Sequence, residues 1–552
     1  MIRCAALALA VVAAAAGRPS AAAVPTVSRM PAETPGTPGR NYPFFATDIV
    51  LGNYGYVEEE FSFEGQASTY SIKPGANADV LTSGTAYRSR LLVRRPATQA
   101  RFNGVVVVEW LNVTNGYDTD VLWLYQKEFF IREGYAWVGV SAQSAGVSRP
   151  PNGLKVWSPS RYGRLDVDGH GKVPGDALGY DIYAQAGVAT RRVPAVLGGL
   201  EARLVIAAGQ SQSAGRLATY LNAIHPRDPV YDAALLTVNA AALRTDLTIP
   251  VIKVLSENEA NSSRSQADSS RIRTWTVAGA THSEQYSLVS RAAFLLRDLN
   301  LQAVDACGTP ARSRVEIRYV YNAAVDALVK WRRSSIAPPN APELKFSGDI
   351  LQRDEHRNAL GGVRSIEMDV PVAHDAAINC GLGGTHVPFD DQTLNRLYPT
   401  HTDYVGKVRN SAASLVRAGF MLKADAERAV ASAERSIYGE RLVCGALCAD
   451  VRQFPSHPSS MLLAKQTAHL FIKDGHALVT LVDRATRAIA EGDTLKDDLR
   501  SKRKFEEAAA HLRSYVSKTQ QSLARGNVAR ETAALLIEQA TTLMNLVEAR
   551  AK

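Results

Sequence analysis

The segment Arg203–Leu217, RLVIAAGQSQSAGRL, joins a strand pattern to a helix pattern through a very short turn. An apolar run comes first, the polar sequence GQSQS follows, and helix-forming residues begin near Ala214. A serine at the apex of such a turn is lifted above the edge of a sheet, where its hydroxyl can act as a nucleophile. Ser211 is therefore the predicted nucleophile, and the small residues Gly209 and Ser213 on either side allow strand and helix to pack closely. The alternative is an ordinary polar turn, because serine is common in turns.

Strand and helix patterns alternate over most of the first 300 residues. Such alternation predicts an α/β protein with a mostly parallel sheet and helices on both faces. Two early strand patterns, Glu60–Phe63 and Arg90–Val93, have no helix between them, which predicts an antiparallel start to the same sheet. The further strand patterns are Gly104–Trp110, Tyr135–Ser141, Leu204–Ala208, Ala233–Val238, Pro250–Leu255 and Ile272–Val277, and the helix patterns among them include Val121–Arg132, Tyr180–Leu197 and Ala214–Ile224.

The length of 552 residues exceeds what one compact core normally holds, so several folding units are expected. We predict a flexible terminus over residues 24–42, rich in Pro, Thr and Ala, followed by a main domain over 43–450. Within that domain, residues 311–450 are an irregular and helical C-terminal extension, either a layer covering the sheet or its C-terminal edge. Residues 458–552 are almost uniformly helix-forming and predict a separate α-helical C-terminal region.

Residues 1–23 have the pattern of a cleaved secretory signal peptide. Arg3 supplies a positive charge, Ala5–Ala16 is apolar, and Ala21–Ala23 provides small residues for cleavage. The apolar run is shorter than the roughly 20 residues that a membrane span needs, and no later segment is long and apolar enough. The sequence therefore predicts a secreted or periplasmic protein without a transmembrane span. An uncleaved membrane anchor is the alternative.

Cysteine usage agrees with export to an oxidising compartment. Cys4 leaves with the signal peptide, and Cys307, Cys380, Cys444 and Cys448 remain. Four cysteines can form two disulfides in three pairings. The loop from Cys444 to Cys448 is short enough to close on itself, which leaves Cys307 to pair with Cys380. A zinc site is the alternative, but no histidine lies at ligand spacing beside the Cys444 pair, so no metal site is predicted.

The formal net charge of +9 is modest for a chain of this length. The densest basic cluster, Lys502–Lys504, lies in a helical tail that is also rich in acidic residues. This mixture is typical of a solvated helix face rather than a nucleic-acid patch, so no nucleic-acid partner is predicted. For the helical tail itself, we hypothesise a role in docking to a surface or to another protein.

A serine nucleophile needs a base to take its proton and an acid to orient that base. On a sheet of this kind the three follow separate strands, in the chain order serine, acid, histidine. The last two strand patterns end just before such residues: Glu257 and Glu259 follow one, and His282 follows the other. His282 is the predicted base. Glu259 is the favoured acid because it lies a few residues past the strand end, and Glu257 is the alternative; the remaining carboxylate would cap a helix or form a salt bridge.

A tetrahedral oxyanion needs two backbone N–H donors. The first is predicted to be Gln212, directly after the nucleophile. The second is expected in the loop that follows the strand VVVVEW, where Leu111 or Asn112 is the candidate. The alternative for this loop is an ordinary polar turn.

Several separate motifs occur together in one order. They are GVVVVEWLNVT, GQSQSAGR, VAGATHSEQY, LGGVRS, CGLGGTHVPF and LYPTHTDYV. With these motifs the chain resembles a secreted branch of the alpha/beta-hydrolase superfamily over roughly Tyr42–Ser436. The resemblance implies an alpha/beta-hydrolase fold and a serine hydrolase mechanism, with Ser211 as nucleophile and His282 as base. Relatives tend to have Asp at the position of Glu259, and the last hundred residues are similar to helical modules of the FIMAH type.

The resemblance and the residues together imply hydrolysis of a carboxylic ester through an acyl-enzyme, because alcohols leave more easily than amines. The substrate would be a small-molecule or oligomeric ester, and the chemistry needs no cofactor and no metal. An acyltransferase or amidase with the same three residues is one alternative. A non-catalytic binding protein on a hydrolase scaffold is the other.

Overall fold

The computed structural model of the protein describes residues 22–260, 266–301, 311–434 and 498–525, with scattered positions between these ranges and up to residue 548. The predicted signal peptide, except for its last two residues, lies outside the described residues. The same holds for Cys444, Cys448 and most of the predicted helical module.

The described residues contain a large central sheet and two small hairpins. The strands are β1 (Thr26–Met30), β2 (Tyr56–Ser71), β3 (Asp79–Pro96), β4 (Val105–Trp110), β5 (Ala136–Val140), β6 (Leu204–Gln210), β7 (Ala233–Thr237), β8 (Val251–Leu255), β9 (Ile272–Ala278), β10 (Phe346–Ser347), β11 (Ile350–Leu351), β12 (Val363–Arg364), β13 (Ala373–Cys380) and β14 (Gly384–Pro388). The central sheet has ten strands in the order β1-β2-β3-β5-β4-β6-β7-β8-β9-β12, while β10–β11 and β13–β14 are the hairpins.

The pairing directions confirm the predicted mostly parallel sheet and its antiparallel start. Strands β1, β2, β3 and β5 pair antiparallel with one another in that order, with Phe61 of β2 opposite Leu91 of β3. Every later pair in the central sheet, from β5–β4 to β9–β12, is parallel. The carboxyl ends of β4, β6, β8 and β9 therefore meet at one edge of the sheet, where ligand sites of open α/β sheets lie.

The prediction of a flexible terminus over residues 24–42 is wrong for the part that forms β1. This strand pairs with β2 along all five of its residues. Tyr42 is buried as well, and its hydroxyl donates a hydrogen bond to Asp298 at 3.0 Å. The edge of β2 offers backbone N–H and C=O groups with which this segment pairs as a strand. The composition of residues 24–42 does not reveal this edge, because β2 lies further along the chain.

Helices cover both faces of the central sheet, as predicted. The α-helices in the described part of the chain are α1 (Val121–Glu133), α2 (Ser144–Val147), α3 (Leu154–Trp157), α4 (Pro159–Tyr162), α5 (Gly179–Arg192), α6 (Pro194–Leu197), α7 (Gln212–Thr219), α8 (Gln285–Val289), α9 (Ala292–Phe294), α10 (Arg318–Ser334), α11 (Ile366–Asp369), α12 (Asp391–Leu397), α13 (His401–Ala418), α14 (Lys423–Glu434) and α15 (Asp498–Ala524). In β4, Val106 and Val108 pack in one core with α5 and α7, and Val105 and Val107 pack in the other with α1 and α10. A strand buried on both faces reads as a continuous apolar run.

The helix pattern predicted over Tyr180–Leu197 forms two helices rather than one. Val193 adopts an extended conformation between α5 and α6, and Pro194 begins α6. Proline lacks an N–H and disfavours a helical conformation of the residue before it, so the chain turns at this point.

Part of the predicted C-terminal extension belongs to the central domain. Helix α10 packs on the sheet beside α1, and β12 adds a strand parallel to β9. The C-terminal region is helical as expected, with α15 as its longest described helix. Among the described residues, no helix has the length and apolar character needed to cross a bilayer.

Cys307 and Cys380 form the predicted disulfide, with their Cα atoms 5.3 Å apart. The bond anchors the end of β13, where the chain turns toward β14. The second predicted pair lies outside the described part of the chain.

Candidate active site

Ser211 lies at the apex of the turn between β6 and α7. Its backbone has φ 57° and ψ −118°, a conformation that residues with a side chain seldom adopt. A Cβ on Gly209 would come within 3.0 Å of the backbone of Ser213 and Ala214, so the close contact of strand and helix requires glycine there. Strained backbone of this kind is concentrated at functional sites, because the surrounding structure has to hold it in place.

Ser213 occupies the position where the turn usually has a second glycine. It is fully buried, and its hydroxyl accepts a hydrogen bond from the Gln210 N–H at 3.0 Å and donates one to the Gln210 carbonyl at 2.9 Å. The hydroxyl thus closes the turn and is unavailable to a substrate. Ser211, in contrast, is partly exposed.

The structure brings Ser211, His282 and Glu259 together in one chain of hydrogen bonds. The His282 Nε2 atom lies 2.7 Å from the Ser211 Oγ, and its Nδ1 atom lies 2.5 Å from the Glu259 Oε1. The side chains of His282 and Glu259 are 13% and 10% exposed, so the pair is shielded while the serine stays accessible. With hydrogen on Nδ1, the Nε2 lone pair faces the serine hydroxyl, which is the arrangement needed for proton transfer.

The two candidate acids differ in what they contact. Glu259 ends a short 3-10 turn after β8, and its second oxygen accepts hydrogen bonds from the Ser256 N–H at 3.0 Å and the Ser256 hydroxyl at 2.6 Å. Glu257 points away from His282: it accepts the Gly279 N–H at 2.6 Å and forms a salt bridge with Arg353 at 3.1 Å. The geometry therefore favours Glu259 as the partner of His282, with Glu257 as the salt-bridged carboxylate.

The structure corrects the candidates for the second oxyanion donor. The Leu111 N–H donates to the Val140 carbonyl at 3.2 Å, and the Asn112 N–H donates to the Thr119 carbonyl at 3.1 Å. Both amides are therefore occupied by the pairing of β4 with β5 and by the closure of the following loop, which a sequence pattern does not show.

Asn112 has a different place in the site. Its side-chain amide donates to the Gln210 carbonyl at 2.9 Å and so ties the loop after β4 to the turn that carries Ser211. Val113 follows with an N–H that has no acceptor among the described residues, and the same is true of the Gln212 N–H at the start of α7. The free amide of Gln212 agrees with its predicted place, while in the loop after β4 the free amide is that of Val113 rather than of Leu111 or Asn112.

Two residues beyond His282, Glu284 is fully buried. One of its oxygens accepts a hydrogen bond from the Tyr125 hydroxyl at 2.5 Å, and the other has no partner among the described residues. Burial raises the pKa of this carboxyl to about 8. Its side chain is therefore a neutral acid at pH 7 in the folded protein.

This raised pKa has a measurable consequence. An unfolded glutamate ionises near pH 4.5, so between pH 4.5 and pH 8 the folded protein holds one more proton at Glu284 than the unfolded chain. Its contribution to stability therefore falls as the pH rises through that range. We therefore compare the melting temperature of Glu284→Gln with that of wild type at pH 5 and at pH 8 by thermal unfolding. The difference, variant minus wild type, should be several degrees larger at pH 8 than at pH 5. An equal difference at both pH values would contradict a neutral Glu284.

No three His, Cys, Asp or Glu side chains in the described part of the chain are placed to share a metal ion. The groups that meet at the turn between β6 and α7 are the Ser211 hydroxyl, the His282 imidazole, the Glu259 carboxylate and the free backbone amide of Gln212. These are the components of nucleophilic catalysis with an oxyanion hole.

A mostly parallel sheet with helices on both faces and a strained serine at a strand-to-helix turn defines the α/β class of hydrolase folds. The chain belongs to the alpha/beta hydrolase domain family, which it matches over residues 27–431. This match confirms the fold and the resemblance inferred from the sequence motifs.

Solved structures with weaker likeness include three enzymes. An alpha/beta serine hydrolase without a lid from Xanthomonas campestris is 14% identical, with 35% of this chain and 71% of that chain covered and a TM-score of 0.21. A cold-adapted esterase from an Arctic intertidal metagenomic library is 11% identical, with 44% of this chain and 91% of that chain covered and a TM-score of 0.23. A glucuronoyl esterase from Teredinibacter turnerae is 10% identical, with 53% of this chain and 72% of that chain covered and a TM-score of 0.24. Likeness at this level carries no conclusion about the activity of this chain, and no curated protein matches it.

Proposed function

We propose that this protein is a secreted serine hydrolase that cleaves carboxylic esters through an acyl-enzyme on Ser211. The observation that supports this proposal is the chain of hydrogen bonds from the Ser211 Oγ through His282 to Glu259. The three residues come from the ends of three different strands, so their convergence is a property of the fold rather than of a local motif.

In the proposed mechanism, His282 Nε2 takes the proton of the Ser211 hydroxyl as the oxygen attacks the acyl carbonyl carbon. Glu259 holds the imidazole in the required tautomer and stabilises its positive charge. The N–H groups of Gln212 and Val113 bind the developing oxyanion. His282 then protonates the leaving alcohol, and an acyl-enzyme remains on Ser211.

A water molecule completes the cycle. His282 removes a proton from that water, the hydroxide attacks the acyl carbon, and the acid is released as Ser211 regains its proton. Each step moves protons between groups of this chain and the substrate. We propose an ester rather than an amide as the substrate, because an alcohol leaves more readily than an amine. The ester would be a small molecule or an oligomer.

The experiment combines labelling and product analysis on the purified full-length protein. A fluorophosphonate probe should label wild type at one site, identified as Ser211 by peptide mass spectrometry. A panel of p-nitrophenyl esters of graded acyl length should give the free acid as product. Absence of both labelling and turnover would refute the hydrolase proposal, whereas transfer of the acyl group to an added alcohol or amine in preference to water would assign an acyltransferase.

A further inference from the structure

The loop that carries His282 packs against the turn of the β13–β14 hairpin. The Leu382 carbonyl accepts a hydrogen bond from the Ser283 N–H at 3.0 Å. On the other side of His282, a Cβ placed on Gly384 would come within 2.3 Å of the Thr281 side chain, so the two segments are in close contact. The residues immediately before and after the proposed base therefore both touch this turn.

Asn258 extends this contact to His282 itself. Its side-chain oxygen accepts a hydrogen bond from the backbone N–H of His282 at 2.8 Å. Its side-chain amide donates a hydrogen bond to the Gly381 carbonyl at 3.3 Å. Its backbone N–H donates to the Ser256 hydroxyl at 3.2 Å, and that hydroxyl donates to Glu259. One asparagine thus connects the loop of the base, the turn of the acid and the hairpin.

The hairpin turn has a covalent anchor next to these contacts. Cys380, the residue before Gly381, is joined by the disulfide to Cys307 across a sequence separation of 73 residues. A crosslink between distant segments limits how far they can move apart. The same turn also accepts a hydrogen bond at its Gly383 carbonyl from the Ser313 N–H at 3.0 Å, and this bond, unlike the disulfide, is not covalent.

We propose that Asn258 is a positioning residue that couples the His282 loop to the disulfide-anchored hairpin turn, so that full kcat requires the Cys307–Cys380 bond. The inference rests on the proposed serine hydrolase mechanism. Proton transfer needs His282 Nε2 within hydrogen-bond reach of the Ser211 Oγ, and a displacement of about 1 Å can lower the rate about 100-fold. Asparagine suits the place because its side chain both accepts and donates a hydrogen bond.

A double-mutant cycle tests this coupling. The variants are Asn258→Ala, the pair Cys307→Ser with Cys380→Ser, and all three changes combined, compared with wild type on one p-nitrophenyl ester. We expect Asn258→Ala and the cysteine pair each to lower kcat about 10- to 100-fold, with KM changed less than about threefold. Because both would disrupt the same connection, the combined variant should lie within about threefold of the slower of the two.

A matched control changes the hairpin away from its turn. Val387 lies on β14 with 43% of its surface exposed, so Val387→Ala should leave kcat, KM and the melting temperature at the wild-type values. If the cysteine variants do not fold, reduction of the folded proteins replaces them. A phosphine reductant should then lower kcat of wild type about 10- to 100-fold, and lower that of Asn258→Ala less than about threefold.

The outcomes separate this inference from the proposed function. Two results would overturn the coupling: losses in kcat that multiply in the combined variant, or a wild-type kcat after loss of the disulfide. In either case, fluorophosphonate labelling of Ser211 would still support the proposed hydrolase. A rise in KM with unchanged kcat would also overturn it, since that result indicates lost substrate binding. A wild-type protein that neither labels nor turns over esters would instead refute the proposed function.

Discussion

Ser211→Ala is expected to lower kcat on a carboxylic ester by about 10⁴-fold or more and to abolish fluorophosphonate labelling. The substitution removes the nucleophilic oxygen and leaves the turn in place, because alanine has the same Cβ in the same strained conformation. The melting temperature should therefore stay close to that of wild type. Measurement of kcat, labelling and thermal unfolding on the same preparation distinguishes loss of chemistry from loss of fold.

Ser213→Ala is the matched control for this prediction. The change removes a hydroxyl that pairs with both backbone groups of Gln210 and leaves the Gln210 N–H without its acceptor. A buried donor without a partner costs about 1–3 kcal/mol, so this variant should melt lower but still be labelled at Ser211. If Ser213→Ala were unlabelled and Ser211→Ala remained active, the nucleophile would be two residues away from its predicted place.

Much of this site is encoded in local patterns, and these could be interpreted from the sequence. The turn around Ser211 was predictable because a buried strand, small flanking residues and a helix start fall within about fifteen positions. His282 and Glu259 follow strands, and the parallel direction of those strands brings their ends to one edge of the sheet. The apolar runs also predicted the central strands correctly, since strands buried on both faces are apolar along most of their length.

The parts that could not be predicted depend on contacts between distant segments. Leu111 and Asn112 have the right position for oxyanion donors, but the availability of an N–H depends on which neighbouring carbonyl accepts it. The strand in residues 24–42 exists because β2 has an open edge. Asn258 is separated from Gly381 by 123 residues, so no spacing rule connects them.

Strand β12 is another such case. It has two residues and joins the central sheet beside β9, far from the alternating patterns of the first 300 residues. A segment of that length has no periodicity to detect. The strand can therefore be identified only from its pairing with β9. The same pairing shows that the C-terminal extension contributes to the central domain.

Glu259→Gln is expected to lower kcat about 10³- to 10⁴-fold with little change in KM. The reason lies in the fixed contacts of the two carboxylate oxygens. One oxygen accepts hydrogen bonds from the Ser256 N–H and hydroxyl, and the other faces His282 Nδ1. A glutamine would place its single oxygen toward the Ser256 N–H, so its NH₂ group would face the imidazole.

An NH₂ group at that position donates a hydrogen bond to Nδ1 and therefore moves the imidazole hydrogen to Nε2. His282 would then present an N–H to Ser211 and could not take its proton. Glu257→Gln is the matched control, because Glu257 bonds to Gly279 and Arg353 rather than to His282. We expect it to lower the melting temperature and to change kcat less than about tenfold. Steady-state kinetics of both variants decide the question: a wild-type kcat for Glu259→Gln, or a larger loss for Glu257→Gln, would assign the orienting role to another acid.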